Sequence, residues 1–287
     1  MRIADLLYQI IPKQWFRKMS KTYYKIIKKY RTPLSEKEFK VFLSDKLGVK
    51  DGHVLFIHSA MSKLNINFPP ARLLEILLET VGNEGTLLFP CWHYIGRAEV
   101  YLRDPDSIFD VDNSSTTLGF LNELVRKHPQ AVRSMHPTVS ICAIGKYAKE
   151  LTETHHLDIY PCGYLSPWYK MLQYPHVKII GLGEKVVSLS FVKCVEDILK
   201  ERFPVQTLSK EILIGSVKKG NEILKIRTLY PIKATQKRDI VTFLKRNISS
   251  NAGKMFRYGG MNFFTFDAKI LFEELSSLAG RGKTIYM

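Results

Sequence analysis

The chain has 287 residues, 45% of them hydrophobic, enough to bury a large core and in keeping with one main domain. Its four cysteines, Cys91, Cys142, Cys162 and Cys194, are scattered without a CxxC pair or histidines at ligand spacing, which argues against a disulfide framework or a zinc site and for a reducing compartment. Lys and Arg outnumber Asp and Glu by 43 to 27, a formal net charge of +16, yet no nucleic-acid recognition motif accompanies the charge, so a nucleic-acid partner is not expected.

The apolar run in the opening MRIADLLYQIIPKQWF is short and broken by Asp5, Gln9 and Pro12, and neither a small-residue cleavage site nor a long apolar span follows. A cytoplasmic protein is expected, with no signal peptide and no membrane-spanning helix. Half of the excess charge lies in the first 33 residues, where nine basic residues stand against the single acid Asp5, a net +8. In KQWFRKMSKTYYKIIKKYR these alternate with aromatic and aliphatic residues close to helical spacing, the pattern of a basic amphipathic helix. Such a helix either rests on an anionic membrane surface, holding the protein at the inner face of the membrane, or packs on its own domain with a solvated basic face; both readings stand. The expected division is a basic extension over 1–33 and a single domain over 34–287.

In LSEKEFKVFLSDKLGV, Ser35 and Glu38 have the spacing of a capping box and predict a helix ending near Gly48. HVLFIHSAMSKL reads as a buried strand from His53 to Ile57 running into a turn. PPARLLEILLETVG reads as an amphipathic helix opened by prolines and stopped by Gly82, and GTLLFPCW as the next strand. Together they predict a βαβ unit with parallel pairing and helices on both faces of the sheet. Residues 96–116 read as a long polar loop, followed by a helix over TLGFLNELVRKH. In RSMHPTVS, Pro137 pushes His136 into an extended or turn-like position, which can aim an imidazole but is equally a common entry to a strand. The strand VSICAIG, a helix through AKELTETHH, the strand VKIIGLG and a helix from about Ser190 to Lys200 come next. EILIGSVKKGNEILKIRTL alternates around Gly220-Asn221 as an antiparallel hairpin, and two helical segments close the chain.

VLFIHSAMSKL, LLEILLETVGNEGTLLFP, FDVDNSSTTLGFLNELVRKHPQAVRSMHPTVSICAIG and KIIGLG followed by VED resemble, in sequence and order, the aminoglycoside 3-N-acetyltransferases and the wider antibiotic N-acetyltransferase-like family. The resemblance runs from about Leu34 to the end and is strongest from Phe109 to Gly145. It implies a three-layer α/β/α sandwich with a central, mostly parallel sheet, here with a C-terminal antiparallel hairpin. It also implies transfer of an acetyl or other acyl group from acetyl-coenzyme A to an amine without a metal. The family's histidine in the HP motif falls on His136, expected as the general base, a role suited to a group that titrates near neutral pH. The family's acid in the helix after GLG falls on Glu196, expected to orient that ring or anchor the amine, with Asp197 beside it as the competitor.

The family's cofactor region falls on His58, Ser59, Ser62 and Lys63, just past the carboxyl end of a parallel strand where open α/β sheets bind ligands. Ser114 and Thr116 fall where the family contacts the pantetheine arm, although hydroxyls before a helix commonly serve as N-caps. Three departures bear on the site: Ala60 replaces a serine, Lys193 stands where many relatives have a histidine, and GYLSP replaces GEGSP. No activating partner is visible for Cys142 or Cys162 as acyl carriers. The basic excess favours a neutral or anionic acceptor, such as an amino sugar on a nucleotide or lipid carrier in surface-polysaccharide synthesis. The alternative is an aminoglycoside held by Asp104, Asp106, Asp110 and Asp112, which would make the protein a resistance enzyme; Asp110, Asp112 and Lys193 are the expected acceptor contacts. A third reading, of another class, is a non-catalytic protein that uses the fold to bind a membrane or a partner. A homo-oligomer is left open.

Overall fold

Ser35 opens helix α1 (Glu36–Asp45) in the computed structural model, which describes residues 22–26 and 28–286. The expected capping box is present: Ser35 Oγ accepts from the Glu38 N–H, and the Glu38 carboxylate accepts from the Ser35 N–H at 2.8 Å. Strand β1 (Val54–Ser59), helix α2 (Pro70–Val81) and strand β2 (Thr86–Pro90) form the βαβ unit, with Leu55 opposite Leu87 in a parallel ladder. β1 runs to Ser59, beyond the expected end at Ile57, because it pairs with a second parallel strand up to that residue.

The 96–116 stretch is not one loop. It carries helix α3 (Ala98–Arg103) and the short strand β3 (Ile108–Asp110), whose partner lies about a hundred residues downstream and so leaves no local signal. Helix α4 (Phe120–Arg126) and strands β4 (Val132–Arg133) and β5 (Ile141–Gly145) follow, then helix α5 (Ala148–Thr152), helix α6 (Pro167–Lys170), strand β6 (Val177–Leu182) and helix α7 (Val192–Leu199). The hairpin expected at Gly220-Asn221 is strands β7 (Leu213–Lys219) and β8 (Glu222–Thr228), which join β3 in a separate three-stranded sheet. Between the closing helices α8 (Ile240–Asn247) and α9 (Ala268–Gly280) lies a hairpin the sequence reading did not expect, β9 (Gly253–Tyr258) and β10 (Met261–Asp267). It turns at Gly259-Gly260, where φ is +55° and +83°.

The main sheet has the order β4-β5-β2-β1-β6-β10-β9. Hydrogen bonding is parallel only where β1 meets β2 and β6, but following the pairings outward, five of the seven strands run in one direction. One core, between the sheet and α5 to α9, includes Phe56, Trp168, Phe191 and Phe264. The other, between the sheet and α1, α2 and α4, includes Phe39, Leu73, Leu87 and Phe263. These are the three expected layers. The chain passes from β1 to β2 on one side of β1 and returns to β6 on the other, so the connections diverge at the carboxyl end of β1, the place where open sheets bind ligands.

Residues 22–26 and 28–30 are helical; residues 1–21, with most of the expected basic amphipathic helix, lie outside the described residues. The visible part packs on the domain through Tyr24, which is buried and accepts from Asn262 Nδ2 at 3.0 Å. No described helix is long and apolar enough to cross a membrane.

Candidate functional site

His136 has no exposed surface. Its Nδ1 accepts from the N–H groups of Thr138 and Val139, both at 3.3 Å, which leaves Nε2 to carry the proton toward Thr228 Oγ1 at 3.2 Å. The ring stacks on His155 at 4.7 Å between centroids; His155 in turn takes a hydrogen bond from Ser134 and gives one to the Pro161 carbonyl. Burial, with the neighbouring histidines, holds His136 well below the ordinary imidazole range. The expectation of an imidazole open to a cleft therefore differs from its placement. Both nitrogens are used to tie the turn before β5 to strand β8, because the HP turn folds its own N–H groups back onto Nδ1.

Four of the eight buried polar atoms without partners among the described residues lie elsewhere together, at the carboxyl ends of the central strands β1 and β2. His58, last but one in β1, shares a face with Phe56 and is buried, its Nε2 without a hydrogen-bond partner among the described residues; burial pulls it down to about 3. Trp92 and His93 follow β2. Trp92 Nε1 and both His93 nitrogens are likewise unpartnered, and the His93 ring stacks on Phe109 at 4.4 Å. Burial, then Arg133, brings His93 down to about 4. Buried polar atoms without partners are rare enough in a folded domain to require water or a ligand.

Ser59 points to the other face of the sheet and donates to Asn122 Oδ1 at 3.2 Å, while Asn122 Nδ2 donates to the Pro90 carbonyl. Lys63, in the turn after β1, pairs with Glu184 after β6 at 3.2 Å, so its charge is already met; Ser62 is exposed beside it. These four expected cofactor residues thus do border the edge where β1 and β6 end, divided between its two faces.

Helix α7 brings the acids. Lys193 lies with its Nζ 4.8 Å from the centre of the Trp92 ring. One turn on, Glu196 is 6% exposed and Asp197 2%, a rare state for adjacent carboxyls. Tyr286 donates to Glu196 Oε1 at 2.7 Å and the Cys162 N–H to Asp197 Oδ2 at 2.7 Å. Burial raises both, Glu196 to about 7 against the opposing pull of Tyr286, Lys193 and Arg238, and Asp197 to about 8. A cavity of about 20 Å³, room for a single water, lies against Glu196 between α7, α8 and α9, closed by Lys283, Thr284 and Ile285.

The remaining expected residues are engaged in structure. Asp110 binds Asn113 and pairs with Lys218, Asp112 pairs with Lys219, and Asp104 caps its own turn, so the acids proposed to hold a polycation are largely neutralised or locally bonded. Ser114 Oγ accepts from the Asp110 N–H, and Thr116 Oγ1 donates to the Trp92 carbonyl at 2.9 Å, bracing the segment that carries Trp92. Among the described residues no cluster of His, Cys, Asp or Glu is arranged to hold a metal ion. Trp92, His93 and Tyr286 were missed by the sequence reading. The only local signal for the first two was the aromatic CWHY run at the end of a buried strand; for Tyr286 there was none.

A family model described as aminoglycoside 3-N-acetyltransferase matches residues 56–278. Aminoglycoside N(3)-acetyltransferase IX of Micromonospora chalcea is 28% identical over 265 residues, 84% of this chain and 91% of that protein. The solved structure of AAC-IIIb in binary complex with CoASH is similar at a TM-score of 0.72 and 20% identity, over 88% of this chain and 98% of that one. AAC-VIa bound to sisomicin is similar at 0.66 and 21%, over 87% and 99%. At these identities the two structures speak to the fold.

Proposed function

Because the chain belongs to the aminoglycoside 3-N-acetyltransferase family and is an N-acetyltransferase, we propose that it carries the acetyl group of acetyl-coenzyme A to an amine of an aminoglycoside. The site is the carboxyl edge of β1, β2 and β6 with the facing helix α7. The relatives support this acceptor over the surface-polysaccharide amino sugar that the bulk charge favoured, since both the family model and the Micromonospora relative are aminoglycoside enzymes. The relative with bound CoASH supports the donor.

One observation carries the reading. A buried carboxyl poised near neutrality, Glu196, sits one helical turn from Lys193, which covers an indole whose buried N–H has no partner among the described residues. The unpartnered atoms of His58, Trp92 and His93 fit an amide-rich, hydroxyl-rich ligand, and a thioester bound there supplies the activated carbonyl. The acceptor arrives as an ammonium. Glu196 takes its proton, the freed nitrogen attacks the thioester carbon, and the C–N bond forms as C–S breaks; the proton held by Glu196 goes to the departing sulfur to give the thiol, and the second proton that the nitrogen loses on becoming an amide passes to solvent. Trp92 Nε1–H is the donor offered to the developing oxyanion. Lys193 and the Tyr286 hydroxyl hold Glu196 low enough to ionise at neutral pH. His136 has no place in this sequence of events; it fixes the turn that carries β5.

The test is release of free thiol from acetyl-coenzyme A with sisomicin as acceptor. Turnover with the antibiotic supports the reading. Turnover with simple amino sugars but none with any aminoglycoside of a panel would remove the acceptor, and no thiol release with either class would remove the activity.

A further inference from the structure

Coenzyme A carries a diphosphate and a 3′-phosphate, and these need cations or free N–H groups. Lys63 is the sole Lys or Arg in the turn after β1, and Glu184 already meets its charge at 3.2 and 3.3 Å. Apart from Lys185, which is exposed just after β6, the uncompensated cations at this edge belong to another element. Lys25, Lys28, Lys29 and Arg31 are exposed and make no ion pair among the described residues. They lie on and just after the helical residues 22–26 and 28–30.

Side-chain and main-chain bonds fix where that helix lies. Tyr24 accepts from Asn262, the residue before Phe263, which faces Leu182 at the carboxyl end of β6. Tyr23 accepts from Arg257 on β9 at 2.7 Å. The Arg31 carbonyl accepts from Asn65 Nδ2 at 3.0 Å, and the Leu34 N–H donates to the Asn65 carbonyl at 2.9 Å, which ties the end of the helix to the turn after β1. The Tyr24 phenol is raised, chiefly by burial, and the Glu184 carboxylate adds to this. Tyr30, 75% exposed beside Lys29, presents a ring on which a purine can stack. A basic helix therefore lies across the edge where β1 and β6 end, and it lies outside the 56–278 stretch that matches the family.

We infer that the helix carrying Lys25, Lys28, Lys29 and Arg31 is the binding surface for the phosphate groups of the coenzyme. The inference rests on the donor proposed above. The experiment compares the full chain with a Lys25→Ala, Lys28→Ala, Lys29→Ala, Arg31→Ala variant, titrating coenzyme A, 3′-dephospho-coenzyme A and acetyl-pantetheine by calorimetry. All four positions are exposed, so the variant should fold. Coenzyme A should bind about tenfold or more weakly to the variant, the difference shrinking in about 0.3 M salt and for the dephospho form, with acetyl-pantetheine within about twofold. Replacing the four positions by the opposite basic residue, Lys→Arg and Arg→Lys, should restore affinity. Equal coenzyme affinity for both proteins overturns the inference and leaves the donor intact; so does an equal loss for coenzyme A and acetyl-pantetheine. A variant that loses sedimentation with phosphatidylglycerol vesicles but keeps its coenzyme affinity assigns the helix to a lipid surface and overturns it too. If the unaltered chain binds neither coenzyme A nor acetyl-pantetheine, the donor itself falls.

Discussion

Glu196 and His136 are both buried, but the consequences of burial are opposite. For Glu196, desolvation moves a carboxyl into the range where it can accept a proton at neutral pH and give it back, with its pKa near 7. Acetyl transfer should therefore rise with pH through about 7 as the carboxylate forms, and a rate profile flat from pH 6 to 8 would count against Glu196 as the acceptor. Glu196→Gln should cost roughly two to four powers of ten in kcat while coenzyme binding persists. Tyr286→Phe removes a donor that holds the carboxylate at 2.7 Å, so the inflection should move to higher pH with the fold intact. For His136, desolvation leaves a neutral ring whose nitrogens join the turn before β5 to strand β8. His136→Ala should destabilise the protein by about 2–4 kcal/mol through the cavity and the orphaned Thr138, Val139 and Thr228 groups. Chemical denaturation would measure that loss, and kcat per folded molecule should stay close to the unaltered value.

At the scale of elements, local patterns were readable and distant pairings were not. The capping box at Ser35 and Glu38, the β1–α2–β2 unit and the hairpin at Gly220-Asn221 each carry their signal within a dozen or so residues, through cap chemistry, apolar period and turn residues. β3 exists because β7 lies beside it, and β10 because β6 does, and neither cause is local. The β9–β10 hairpin closes the sheet and delivers α9 through Asp267, whose carboxylate accepts from the N–H groups of Lys269 and Ile270. Asp267→Ala should cost about 1 kcal/mol, seen as a lower denaturation midpoint with an unchanged slope. A changed slope would point to a wider loss of structure than one cap.

Across the whole molecule, buried titratable groups set opposing pH trends. His58 and His155 are held near 3 and His53 and His93 near 4, chiefly by burial, and His136 is held well down. Their folded pKa values lie below the unfolded ones, so their stability is present above about 6.5 and is lost as pH falls. Glu196 near 7 and Asp197 near 8 keep their protons in the folded state, so their contribution is present below about 4 and is lost as pH rises through 7 to 8. These five histidines against the two carboxyls make stability fall on both sides of about pH 6.5, by roughly 1.4 kcal/mol per pH unit for each uncompensated proton. Thermal melts from pH 5 to 8 should show that maximum; a melting temperature that climbs steadily to pH 8 would be the contrary result.

The resemblance read from the HP string and the segments around it determined the family and the reaction, because those residues keep their order along the chain. The periodicity of the chain determined the layers, because amphipathic period follows from which face must avoid water. The surroundings of the candidate site were decided by tertiary structure. His136, the most conspicuous residue of the sequence, is enclosed by its own turn and by β8, while Trp92, His93 and Tyr286 gain importance through neighbours that lie far along the chain. Desolvation and hydrogen-bond partnership are properties of the packed surroundings, and a linear string of residues does not contain them.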